Sequence, residues 1–148
     1  MHSTWMVIAL TLVITACGGE PEIPTLMVND QCQFDGPGVV EEGTLRFTLQ
    51  RTGLGDYGGA VVKFEADMGS HDLATHFETT SRDWSDRPDW IVVSALLETR
   101  DEDITPDDHR GETTLISLQP GEHAVVCIDL SNGTSDVVET VTVVSADS

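Results

Sequence analysis

Residues 44–51, Thr-Leu-Arg-Phe-Thr-Leu-Gln-Arg, alternate strictly between polar side chains and Leu45, Phe47 and Leu49. Successive side chains of a strand point to opposite faces, so this spacing puts the three apolar residues on one face and predicts a half-buried strand. Similar β-branched or alternating segments recur at Thr25–Phe34, Ala60–Glu65, Asp89–Glu98, Glu112–Leu118, His123–Leu130 and Val137–Val144. Turn-forming residues separate them, as at Asp35-Gly36-Pro37-Gly38 and in the glycine-rich stretch from Thr52 to Gly59. One segment has a different period. Ser70–Glu78 predicts a short helix with Ser70 as N-cap, Asp72 favoured by the N-terminal dipole, and Leu73 and Phe77 as an i, i+4 apolar pair. The pattern predicts an all-β chain: an antiparallel Greek-key β-sandwich of about seven strands with one short helix.

The N-terminus reads differently. Residues 5–16, WMVIALTLVITA, are an almost unbroken apolar run in a leader without Lys or Arg. As a helix the run is about 18 Å long, well short of a hydrocarbon core of about 30 Å. That length suits the apolar region of an export signal. Its end, Ile14-Thr15-Ala16-Cys17, resembles the lipobox of bacterial lipoproteins, and Gly18-Gly19 follow it. The resemblance implies that residues 1–16 are a signal peptide and that Cys17 becomes a lipidated mature N-terminus. Two or more acyl chains there would anchor the protein to a membrane stably without a spanning segment. Residues 17–25 would be the lipidated terminus and a short tether, and 26–148 the sandwich domain. The expected address is the bacterial cell envelope, extracytoplasmic, on the outer membrane or the outer face of the plasma membrane.

With Cys17 assigned to lipid, Cys32 and Cys127 remain. An even pair outside the reducing cytosol reads as one disulfide, worth about 4 to 5 kcal/mol in the chain-entropy model for so long a loop. Each cysteine falls in a predicted strand, so the bond would staple the first strand to the sixth. A free Cys127 is the alternative.

That alternative bears on a second resemblance. Leu118-Gln119-Pro120-Gly121-Glu122-His123-Ala124-Val125-Val126-Cys127 is similar to the turn and strand that lead to the copper cysteine of cupredoxins. The likeness extends to Gly36-Pro37 and the Gly43–Leu49 strand, as in small cupredoxin-like and immunoglobulin-like bacterial lipoproteins. It implies a sandwich, and for a copper protein two His, a thiolate and a weak axial ligand. No His or Met follows Cys127, and His123 lies about 13 Å from it along a strand. The expectation is therefore the fold without a copper site, and without any cofactor.

Charge narrows the partners. There are 26 acidic residues against 7 basic, a formal net charge of −19, and Lys63 is the single lysine. Such a surface repels phosphate backbones, so nucleic acid is not expected as a partner. The acidic segment from Arg100 to Glu112 imitates a calcium loop at Asp101, Asp103 and Glu112, but Thr105 and Pro106 stand where a ligand and the obligatory glycine belong. An irregular site using Asp101, Asp103, Asp107 and Asp108 is the alternative to a solvated loop. His71 and His76 are five apart, off the i, i+4 spacing of paired ligands, and His109 sits among acids in a predicted loop. Trp84 and Trp90 flank a polar stretch and are either a contact patch or, for Trp90, core. No catalytic motif occurs. The sequence thus predicts a membrane-anchored, non-catalytic binding or structural module, with an envelope protein or ligand as its partner. A calcium- or small-ligand-binding module is the second expectation.

Overall fold

A computed structural model describes residues 23–52, 55–99 and 109–146 of the chain. The elements are β1 (Thr25–Asn29), β2 (Phe34–Asp35), β3 (Val39–Glu41), β4 (Gly43–Thr52), β5 (Tyr57–Phe64), α1 (Ser70–Thr79), a 3-10 turn at Trp84–Asp86, β6 (Ile91–Thr99), β7 (His109–Leu118), β8 (Gly121–Asp129) and β9 (Thr134–Val144). They form two packed sheets, with orders β2-β1-β4-β7 and β3-β9-β8-β5-β6. The sandwich expected from the sequence is present. Among the described residues there are nine strands rather than about seven, because the first predicted strand is split and β3 had no signal of its own. Two pairings depart from the antiparallel expectation: β1 runs parallel to β4, and β3 parallel to β9.

Strand alternation builds the core between the sheets. Leu26 and Val28 of β1, with Leu45, Phe47 and Leu49 of β4, point inward and are buried. From the other sheet they meet Val61, Ala95, Val125, Cys127, Val141 and Val143. Arg51 continues the inward row of β4 and is fully buried, although its charge suggested the outer face. At Gly59 the sheets approach each other closely. A Cβ there would stand 2.8 Å from Val28 Cγ1 and 3.3 Å from Phe47 Cζ, so only hydrogen fits.

The five-stranded sheet is covered on its other face as well. Ala60, Val62, Ala124, Val126 and Ile128 pack outward against Leu73 and Phe77 of α1, with Trp84 and Trp90 at the margin. That is why β8 is buried without alternation from His123 to Ile128: it is a central strand with both faces covered. The predicted Leu73–Phe77 pair is the face α1 buries.

The helix begins one residue earlier than expected. Gly69, not Ser70, is the N-cap, and its N–H donates to Asp72 Oδ2 at 2.8 Å. His109 opens β7 rather than lying in a loop, and its backbone pairs with Thr52. No helix among the described residues is long and apolar enough to cross a membrane.

Candidate functional site

The two cysteines assigned to a bridge are bonded to each other, Cys32 to Cys127, with their Cα atoms 5.5 Å apart. Cys127 lies on the inward face of β8 and is almost fully buried. Cys32 is not in a strand, as the sequence suggested; it occupies the turn between β1 and β2 with φ +57°. Asn29 shapes that turn. Its Oδ1 accepts from Gln31 N at 3.0 Å and Gln33 N at 3.1 Å, while its carbonyl accepts from Cys32 N at 2.9 Å. These bonds hold Cys32 in a left-handed conformation that non-glycine residues adopt uncommonly, and aim it across the core. The bridge therefore ties a turn of the four-stranded sheet to the centre of the five-stranded one.

His123 occupies the inward face two positions before Val125 and four before Cys127, at the start of the buried run. Its Nδ1 donates to the Gly121 carbonyl at 3.1 Å, which fixes the tautomer with the proton on Nδ1. Burial pushes its pKa below the ordinary 6.5, partly offset by that hydrogen bond and reinforced by the nearby Lys63 ammonium. His123 is thus a neutral core residue. His76 is also committed locally, its Nε2 3.1 Å from the Asp86 carbonyl and its ring edge-on to Phe77. His71 is an exposed residue of the same helix. The structure does not bring His71, His76 and His123 into one constellation, and no group of three His, Cys, Asp or Glu among the described residues is placed to hold a metal ion. Cys17 and the acidic residues Asp101, Asp103, Asp107 and Asp108 lie outside the described residues.

A polar cluster docks the helix on the sheet. Glu122 Oε1 accepts from Ser70 N at 2.8 Å and from Ser70 Oγ at 2.6 Å. Because the Ser70 hydroxyl donates to the carboxylate, Thr140, 2.6 Å away, must donate to Ser70 Oγ. These bonds hold the Glu122 carboxyl below its ordinary range, against the opposing pull of partial burial and of Asp72.

At the other end of α1 a groove of about 470 Å³ is lined by Phe77, Glu78, Thr79, Thr80, Ser81 and Arg82. Its trace in the sequence is the polar run Thr79-Thr80-Ser81-Arg82, which carries no recognisable motif. Several of its polar groups bond within the protein. Thr79 Oγ1 donates to the Thr75 carbonyl, Ser81 Oγ to Asp86, and Arg82 pairs with Asp136 at 2.6 Å on the surface. Beyond it, Asp83 accepts from both Ser85 N and Ser85 Oγ, and these bonds lower its pKa. Trp84 is half-buried, with core beneath it and the Arg87 guanidinium 5.1 Å from its ring centroid. Trp90 packs against Phe64, their centroids 6.2 Å apart. The two tryptophans therefore close the second core rather than forming an open patch. What this arrangement presents is a surface of polar groups bonded to one another around Asp86, with Ser81 on its carboxylate and His76 on its carbonyl.

No family model and no curated protein matches the sequence. Among the solved structures similar to it at low identity are two auracyanins. One is a sodium-dithionite-reduced auracyanin from the photosynthetic bacterium Roseiflexus castenholzii, 13% identical over 81% of this chain and 94% of that one, with a TM-score of 0.39. The other is auracyanin B, 14% identical over 84% of this chain and 93% of that one, with a TM-score of 0.31.

Proposed function

We propose that the protein is a lipid-anchored lipoprotein of the bacterial envelope whose extracytoplasmic sandwich is a non-catalytic binding or structural module. One observation carries the reading. The Cys32–Cys127 bridge accounts for two of the three cysteines and leaves Cys17, at the end of the apolar leader, as the one cysteine outside it. A bridge whose Cys127 end is buried also fits an oxidising compartment. The same bond removes from Cys127 the thiolate that a copper site would need, so the module works without copper. Its non-catalytic role is supported by polar groups that satisfy one another: Ser70 with Glu122 and Thr140, Ser81 with Asp86, Arg82 with Asp136.

The test is fractionation of cells producing the full chain. The wild type is expected in the membrane fraction and to incorporate labelled fatty acid. Cys17→Ser is expected to lose the label and leave that fraction. Equal membrane recovery and labelling of both would refute the anchor.

A further inference from the structure

The outward face of the four-stranded sheet is chemically unlike the rest of this acidic protein. Strand alternation turns Leu26, Val28, Leu45, Phe47 and Leu49 inward, and the outward positions of β1, β4 and β7 hold neither Asp nor Glu. Three rows cross it, Thr25–Arg46–Leu115, Met27–Thr48–Thr113 and Asn29–Gln50–Gly111. Their single formal charge is Arg46, and Leu115 is 59% exposed. Acids stand only at its margins: Asp35 is paired with Met27 on the edge strand β2, and Asp30 accepts from Thr52 N at 3.1 Å and Thr52 Oγ1 at 3.2 Å at the end of β4, while Glu112 lies on the inward register opposite Leu49. Thr48 and Thr113 share a hydroxyl–hydroxyl bond of 3.0 Å across the middle of the face.

The point where the chain enters says what covers this face. Residues 18–22 separate Cys17 from Ile23, and a fully extended link of that length spans about 20 Å. The link ends on this same sheet: Arg46 N donates to the Pro24 carbonyl at 2.9 Å, and Thr25 follows in the row of Arg46 and Leu115. A body of net charge −19 is repelled by anionic headgroups on its other faces. We infer that the Thr25–Arg46–Leu115 face lies on the bilayer surface, with Arg46 and the threonine hydroxyls toward headgroup phosphates and Leu115 in the interface. This orientation rests on lipidation at Cys17; the face itself specifies which way the tethered domain turns.

The wild type supplies its own control, since Trp84 and Trp90 pack on the far face of the other sheet. The acylated full chain, purified from membranes, is bound to phosphatidylcholine vesicles carrying a nitroxide on some headgroups. Flotation and tryptophan emission are read together. Wild type is expected to float with its emission retained. Leu115→Trp is expected to float and to lose the emission the substitution adds, and Arg46→Glu in that background to restore it. Flotation with the added emission intact, or quenching in the wild type, would overturn the orientation while leaving the anchor standing. Failure of the acylated chain to float would remove the anchor and the orientation together.

Discussion

Glu122 Oε1 takes both the backbone N–H and the hydroxyl of Ser70, so a strand residue closes the N-terminus of a helix 52 positions earlier in the chain. This is tertiary capping: the N-cap Gly69 has no side chain to offer, and the carboxylate comes from the sheet. Replacing Glu122 with Ala should cost about 1 kcal/mol, measured by denaturant unfolding. The folded pKa of Glu122 is lowered, so its contribution is present above the ordinary value of 4.5 and is lost as pH falls through the folded value. Glu122→Gln should flatten that acid limb. An unchanged limb would mean the carboxylate does not secure α1.

His123 should act in a higher pH window. Its folded pKa is depressed by burial, so below the ordinary 6.5 the unfolded chain binds a proton that the fold refuses. Stability should therefore decline as pH drops from about 6.5 toward the folded value. His123→Leu should remove that decline while leaving the more acidic limb of Glu122 in place. Thermal unfolding from pH 8 to pH 5 reads the difference.

The Cys32–Cys127 bridge closes a separation of 95 residues between the two sheets. Replacing both cysteines with serine should cost about 2 to 5 kcal/mol, read from denaturant midpoints, and reduction of the wild type should cost a similar amount. A midpoint insensitive to reductant would show that packing alone joins the sheets.

Gly59 pairs with Cys127 across β5 and β8 and faces Val28, Phe47 and Leu49. Gly59→Ala should destabilise by about 1 to 3 kcal/mol through overpacking. Leu49→Ala, on the facing sheet, should cost about 2 to 5 kcal/mol through a cavity. The two sites touch, so the double variant should recover part of the overpacking cost. Strict additivity would argue against the close approach of the sheets.

Much of this fold was legible because burial follows local periodicity. The inward row Leu45, Phe47 and Leu49 and the Leu73–Phe77 pair were visible as spacings, and the bridge as the even pair of cysteines left once Cys17 is set aside. What was not legible depends on distant contacts. β2 and β3 are two and three residues long, too short for alternation to register. Parallel pairing of β1 with β4 is a property of both strands together. Cys32 reaches its partner from a left-handed turn residue, a conformation set by Asn29 rather than by the cysteine. The N-cap is Gly69 and the helix starts at Ser70, which the distant Glu122 holds. Arg51 looked like surface by its charge, yet its parity places it inside. For the candidate site, the tryptophans and histidines were visible as residue types, but their commitments to core and backbone needed the fold.

The most direct test is the intact mass of the chain extracted from membranes, taken after thiol alkylation with and without prior reduction. The account predicts a chain beginning at Cys17 and carrying acyl groups, unalkylated before reduction and alkylated at Cys32 and Cys127 after it. A chain that retains residues 1–16, or one whose Cys17 is alkylated without reduction, would contradict it.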